Sequence, residues 1–437
     1  LRDADTILSI GLDTRFERSV VGVELNHNLK QGTRLVSIYP GAHNLSLHAD
    51  INLNTSGERV KDVLQFFLQT LDGESVEHPF EDYLFKQNLS DAVDMLKESK
   101  KVKILVGPAY LQFSGTAEIL EHIMMVARSI NAEIITFPAQ NNLFGILALG
   151  CLGEILPGGF GINQEKNMQS YNLLNGTNLI FSDKTWKVHD LDSETKLDVL
   201  YVIGESILDL KDLANTIIYQ NFTAPQGNLQ PYLVLASSAF SELDGTFFNA
   251  QGSTYHFQPA VDPLGESMPD WEILCRIARK LGVEGFEFSD SGQIHREMLQ
   301  SISTSKNSKS HRIVDLNYDS DKLNINSYQK VSISEDFPFE LQVSYCENTY
   351  RGFPLTNWVA GLNEILDEGI LFMNRSEALE IGITEGEKTI IETDQGIHSW
   401  PVRLSEEQPE GWLYITLRQD EWQGACSTRA KIRVNNV

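Results

Sequence analysis

The sequence predicts an α/β protein with two parallel-sheet lobes and a C-terminal β-barrel. Short apolar runs alternate with amphipathic stretches through the first 150 residues, and the alternation resumes beyond a Gly- and Pro-rich stretch. The C-terminal part turns to strand-length runs punctuated by glycine. At 437 residues the chain has length for three domains of roughly 150 residues each.

Residues 6–11 (TILSIG) read as a strand, 20–30 as a helix and 34–39 (RLVSIY) as a second strand, together one βαβ unit. Apolar runs bounded by Gly and Pro, with helices between them, belong to a parallel sheet covered on both faces, because such strands bury both of their sides. Residues 49–53 suit a third strand and 60–71 an amphipathic helix. Strands at 103–107 and 134–138 flank a helix at 116–130, on which Ile119, Ile123, Val126, Ala127 and Ile130 form one stripe. Residues 141–161 (NNLFGILALGCLGEILPGGFG) crowd glycine and proline around a short apolar segment, which makes them a loop of close approach or a buried connector. A second α/β unit follows, with strands at 199–203, 215–219 and 232–235 and a helix at 270–281 for which Asp270 is the expected N-cap. Residues 301–321, rich in Ser, Lys, Asn and Asp, read as an exposed linker or long surface loop. Strands at 339–344, 370–373, 388–393, 396–403 and 412–417, a short helix near 376–381, and turns at Gly382, Gly386, Gly396 and Gly411 make a compact barrel. The expected domains are residues 1–160, residues 161–283, a linker or surface loop over 284–337, and the barrel at 338–437.

Acidic residues number 60 against 35 basic ones, for a formal charge of −25, while 41% of residues are apolar. A chain with that much apolar content buries a core and is not generally disordered. Its charge repels phosphate backbones and anionic lipid, so neither nucleic acid nor a membrane surface is an expected partner. No run approaches 18 apolar residues, and the first thirty residues carry charge at almost every turn, which argues against a signal peptide or a direct membrane insertion. Cys151, Cys275, Cys346 and Cys426 lie too far apart for a C-x-x-C site and are expected to be buried free thiols in a reducing, cytoplasmic compartment. The chain opens at Leu1 and runs straight into a buried strand pattern, so further sequence is expected upstream.

Local motifs identify no catalyst. Gly11 leads into Leu12, Asp13, Thr14 and Arg15 rather than G-x-G-x-x-G, so the dinucleotide fingerprint is missing. The run from Gly382 to Lys388 resembles a P-loop only superficially and fits a turn between strands. His43 and His48 are five apart beside a strand, which is not the i, i+4 spacing of helical metal ligands. Gly204-Glu205-Ser206 lacks the second glycine of a nucleophile elbow.

Several blocks, in order, resemble the molybdopterin oxidoreductase superfamily, and most of all the large peripheral-arm subunit of NADH-quinone oxidoreductase, the respiratory complex I. The opening DADTILSIGLDTRFERSVVGVELNHNLKQGTRLVSIYPGAHNLSLHADINL is similar to the family's first block, and NNLFGILALGCLGEILPGG to its Gly-rich loop. The most specific match is ASSAFSELDGTFFNAQGSTYHFQPAVDPLGESMPDWEIL, which resembles a block shared with formate dehydrogenases. YRGFPLTNWVAGL and ILFMNRSEALEIGITEGEKTIIET are similar to the family's capping barrel. The resemblance implies two Rossmann-like lobes of the molybdopterin oxidoreductase fold and a molybdopterin-dinucleotide-binding-like barrel.

It also implies a pocket, whose candidate residues here are Gly11, Asp13, Thr14, Arg15, Tyr39, Pro40, Gly41, Gly245, Asn249, Gln251 and Gly252. Gly11 would let the chain turn at the carboxyl edge of a parallel sheet, where ligands of such folds bind. Glu242-Leu243-Asp244-Gly245-Thr246 begins a turn in which Gly245 can adopt positive φ, and Asn249 can tie the loop to backbone groups. Departures from the family pattern cluster at these positions. Where relatives have Asp-Pro-Arg this chain has Tyr39-Pro40-Gly41, and where they have Glu-Gly-Arg it has Gln251-Gly252-Ser253. Two guanidiniums that hold anionic groups are thereby lost. The expectation is a vestigial pocket with no catalytic residue, no metal and no cofactor in this segment, in a structural scaffold packed beside other peripheral-arm subunits of a respiratory complex. Such a scaffold would be cytoplasmic and peripheral to the inner membrane. The family's iron–sulfur clusters are expected upstream. The alternative is the C-terminal part of a molybdenum- or tungsten-dependent, formate-dehydrogenase-like enzyme, which would keep the molybdopterin.

Overall fold

The run Thr6–Ile10 forms β1 and is buried along its whole length. It continues through α1 (Ser19–Lys30) into β2 (Arg34–Tyr39), a parallel βαβ unit as the sequence predicts. Next come β3 (Ile51–Asn54), α2 (Val60–Leu71), α3 (Tyr83–Glu98), β4 (Val102–Val106), α4 (Thr116–Ser129) and β5 (Glu133–Thr136). The computed structural model describes residues 1–15, 18–41, 43–57, 59–80, 83–111, 115–137, 142–151, 155–157, 160–161, 165–176, 178–180, 197–204, 213–225, 229–249, 253–303, 337–345, 361, 369–393, 396–406, 408–417, 422 and 427–433. It divides into two compact units, one made of Leu1–Ala139 with Asn324–Val437 and the other of Gln140–Leu323.

In the first unit the five strands are parallel, in the order β3-β2-β1-β4-β5. Successive side chains of β1 go to opposite faces. Ile7 packs with Leu25 of α1 and with Leu35 and Leu105, whereas Leu8 and Ile10 belong to the core made with Val63 and Phe67 of α2, Val93 of α3 and Ile123 of α4. Two covered faces explain why these strands read as unbroken apolar runs. The α4 stripe is buried at Ile119, Ile123, Val126 and Ala127. Helix α3 has no counterpart among the expected elements, because its four buried residues (Leu89, Ala92, Val93 and Leu96) are diluted by polar and charged ones.

The second unit begins with α5 (Leu143–Ala148), the two-residue strands β6 (Ile155–Leu156) and β7 (Phe160–Gly161), and α6 (Glu165–Asn175). The expected loop over 141–161 thus contains a short helix and a hairpin. A parallel sheet follows, β8 (Leu197–Ile203), β9 (Ala214–Asn221) and β10 (Leu233–Ala236), in the order β10-β9-β8. Then come the hairpin of β11 (Gly245–Phe248) and β12 (Thr254–Phe257), and helices α7 (Asp270–Lys280) and α8 (Ser291–Ser303). Asp270 is not the N-cap. Pro269 holds that position, and the Asp270 carboxylate instead accepts hydrogen bonds from Gln220 Nε2 (2.7 Å) and Ser237 Oγ, tying α7 to the sheet. Helix α8 occupies part of the expected linker, and residues 304–336 lie outside the described residues.

Back in the first unit, β13 (Phe339–Tyr345), β14 (Leu371–Asn374), α9 (Arg375–Glu380), β15 (Lys388–Thr393), β16 (Gly396–Ser405), β17 (Trp412–Leu417) and β18 (Ser427–Arg433) build a closed barrel in the order β13-β17-β14-β16-β15-β18. Closure leaves no unpaired strand edge. Leu341, Val343, Leu371, Met373, Ile391, Val402, Leu413 and Ile415 fill its interior. The turn glycines Gly382, Gly386, Gly396 and Gly411 all have positive φ, and Asn374 caps α9 by accepting from the Glu377 amide at 3.1 Å. Among the described residues no helix is long and apolar enough to cross a membrane. Cys275 is buried as expected, but Cys151 is exposed.

Candidate functional site

The order β3-β2-β1-β4-β5 reverses direction between β1 and β4, and ligands of open parallel sheets bind at the carboxyl ends of the strands beside such a reversal. Gly11 ends β1 there with φ +65°, its amide donating to the Ile38 carbonyl at 2.9 Å. A Cβ on Gly11 would stand 2.9 Å from the ring of Tyr110. The Gly11→Ala variant is expected to lose about 1–2 kcal/mol from the left-handed backbone alone, with a further penalty from the Tyr110 ring, measured as a lowered midpoint of urea unfolding.

The loop after β1 is held by neutral partners. Thr14 is buried, its amide donates to Asn44 Oδ1 (3.1 Å), and Asn44 Nδ2 donates to Thr14 Oγ1 (2.8 Å). Gly22 of α1 gives Thr14 its space, since a Cβ there would lie 2.7 Å from Thr14 Oγ1. Asp13 is half-buried, and burial raises its carboxyl pKa although Oδ1 accepts from the Arg15 amide at 2.7 Å. Arg15 itself is exposed.

At the end of β2, Tyr39 stacks on His43 with ring centroids 4.2 Å apart. His43 is buried, with Nε2 2.8 Å from Ser37 Oγ and Nδ1 near both the Gly41 carbonyl (3.2 Å) and Ser46 Oγ (2.7 Å). Burial pulls the imidazole pKa down to about 4, against the bond to Gly41, so the ring is neutral near pH 7. Gly41 is covered by the buried Gln408 from the loop between β16 and β17, whose Oε1 lies 2.9 Å from where a Cβ of residue 41 would be. After β4, Gly107 abuts the Gly11 carbonyl so closely that a Cβ would fall 2.2 Å from its oxygen. The Tyr110 hydroxyl donates to the Thr55 carbonyl beyond β3 at 2.8 Å, and Gln342 Nε2 of β13 donates to the Ala109 carbonyl at 3.0 Å.

Of the sequence candidates, Gly11, Asp13, Thr14, Arg15, Tyr39, Pro40 and Gly41 therefore lie in the loops after β1 and β2 at this one edge. Gly245 and Asn249 belong to the second unit, and Gln251 and Gly252 lie outside the described residues. Gly245 does not use the positive φ open to a glycine. It opens β11, and a Cβ would collide with the Phe257 ring at 2.7 Å, so close packing rather than turn geometry requires the glycine. Asn249 Oδ1 accepts from the Ser253 amide at 2.9 Å. Tyr110, Gln342 and Gln408 escaped the sequence reading; a Gly-Pro turn after β4 marks the first, and nothing local marks the two glutamines.

A pterin dinucleotide at this edge needs room over the strand-end glycines and donors for its anionic pyrophosphate. The Cβ directions of Gly11, Gly41 and Gly107 are taken by Tyr110, Gln408 and the Gly11 carbonyl, and the loops carry hydroxyls, amides and a neutral imidazole beside the half-buried Asp13 carboxyl and the exposed Arg15. Among the described residues, glycines covered by the chain's own atoms and a single exposed guanidinium on the first loop, that of Arg15, are a poor fit for that group. Among the described residues no three His, Cys, Asp or Glu side chains gather as a metal site.

Comparison with known proteins places residues 1–280 within a family model described as molybdopterin oxidoreductase. The chain is 22% identical to the F420-dependent formate dehydrogenase 2 subunit alpha of Methanococcus maripaludis, over 95% of this chain and 72% of that subunit. Likeness to the mitochondrial NADH dehydrogenase [ubiquinone] iron-sulfur protein 1 of Solanum tuberosum reaches 21% over 67% of this chain and 33% of that protein. Acetylene hydratase from Pelobacter acetylenicus shares the fold, with a TM-score of 0.59 at 11% identity over 98% of this chain and 78% of that one.

Proposed function

The chain belongs to the molybdopterin oxidoreductase family, and from that premise we propose that it is a structural chain of a formate-dehydrogenase-type electron-transfer assembly. It positions iron–sulfur partner subunits and performs no chemistry at its first sheet. The observation that carries this reading is the carboxyl edge of that sheet, where Tyr110, Gln408 and the Gly11 carbonyl pack directly against the strand-end glycines Gly11, Gly41 and Gly107. Similarity to a formate dehydrogenase alpha subunit over 95% of the chain supports the type of assembly. A peripheral arm of a quinone-linked respiratory complex, cytoplasmic and attached to the inner membrane through other subunits, is the narrower version of the same role. The shorter likeness to the Solanum tuberosum protein supports that version.

A second reading is a catalytic, formate-oxidising chain that keeps its molybdopterin, and the same extended similarity to the alpha subunit favours it. Elemental analysis of the native full-length protein with its co-purifying partners separates the two. The structural role predicts no stoichiometric molybdenum or tungsten on this chain and no formate-dependent dye reduction. One such metal per chain together with formate-dependent reduction establishes the catalytic reading instead.

A further inference from the structure

We propose that the first sheet's ligand crevice is filled in cis, with Tyr110 and the barrel's Gln408 standing where a nucleotide on a parallel sheet would lie. The inference goes beyond the structural role, because it names what replaces the ligand and holds whether or not another part of the protein binds a cofactor.

Five strand ends lie at this edge, and side chains of the chain itself meet those of β1, β2 and β3. Tyr110, after β4, lays its ring over Gly11 at the end of β1 and bonds through its hydroxyl to the Thr55 carbonyl beyond β3. It thereby bars the crevice beside the β1–β4 reversal. The ring is buried, and burial with the nearby Glu340 carboxylate pushes its hydroxyl pKa well up, so it remains a neutral donor. Gln408 covers Gly41 after β2.

Both covers are fixed from the barrel. Gln342 Nε2 grips the Ala109 carbonyl at 3.0 Å, one residue before Tyr110, and Asn374 Nδ2 grips the Gln408 carbonyl at 2.7 Å. The outer atoms of these glutamines, Gln342 Oε1 and Gln408 Nε2, are buried and meet no hydrogen-bond partner among the described residues. Leaving a buried amide atom unpaired is costly, so shape and the two backbone contacts hold the seal rather than a complete polar network. A neutral amide offers no charge to a pyrophosphate.

Hydrogen–deuterium exchange on the full-length protein tests this. Combining Gln408→Ala with Gln342→Leu is expected to speed exchange around Gly41 and around Tyr110 by about tenfold or more, with the second unit unchanged. Unchanged exchange at those two places overturns the proposal. Wild-type protein supplies the second measurement and is independent of whether the double variant folds. Millimolar guanosine diphosphate or inorganic pyrophosphate is expected to leave exchange at Gly11, Gly41 and Tyr110 unaltered, and protection there by either probe also overturns it. Stoichiometric molybdenum alongside the expected exchange pattern would end the structural role and leave the filled crevice standing. Protection by a probe in a metal-free protein would do the reverse.

Discussion

Replacing Tyr110 with alanine is expected to destabilise the protein by about 3–5 kcal/mol, the range for deleting a fully buried aromatic ring. The ring is 1% exposed, packs with the core between the sheet and α2–α4, and lies against Gly11. Its removal opens a cavity at the strand ends, which rigid neighbours such as Gly107 and the Gly11 carbonyl cannot collapse to fill. Tyr110→Phe separates the contributions, since it keeps the ring and loses the hydroxyl with its bond to Thr55, at a cost of about 1–3 kcal/mol. Urea unfolding of the two variants gives the comparison. Equal losses would mean that the hydroxyl, not the ring, matters at this edge.

Acidification is expected to remove about 3 kcal/mol of stability through His43 alone between about pH 6.5 and pH 4. The folded imidazole has its pKa lowered to about 4 by burial, whereas an unfolded histidine titrates near its ordinary value. Over that window the unfolded chain therefore binds more protons than the folded one, and stability falls as pH falls. Above the unfolded value neither state is protonated, and the contribution is flat. Protonation also makes both ring nitrogens donors, so the Ser37 hydroxyl must then accept from Nε2. His43→Asn lacks the titration. Its urea midpoint should change less than the wild type's across the window, and parallel curves would show that His43 is solvated in the folded state.

Much of the architecture was legible because it depends on local pattern. The strands Arg34–Tyr39, Lys388–Thr393 and Trp412–Leu417 and the helix Val60–Leu71 have the expected bounds. In each, apolar periodicity and flanking turn residues agree. Elements α3 and α8 were missed where polar residues dilute the stripe, and β18 because the alternating charges of Ser427–Arg433 do not read as a strand until β13 and β15 pair with it. Asp270 shows the limit of a capping rule: it has the right residue type at a helix start, but Gln220, fifty residues earlier in the chain, claims its carboxylate.

The sequence by itself determined the α/β class, the barrel and the turn at Gly11. Those properties follow from side-chain type and from the backbone freedom of glycine, which neighbours in sequence reveal. Only the tertiary structure decided what meets the glycines at the strand ends. That depends on Gln342 reaching Ala109 across 233 residues and on Tyr110 reaching Thr55 across 55. A side chain that occupies a site from so far away leaves no local periodicity or spacing, because its position is set by how the closed barrel docks on the sheet.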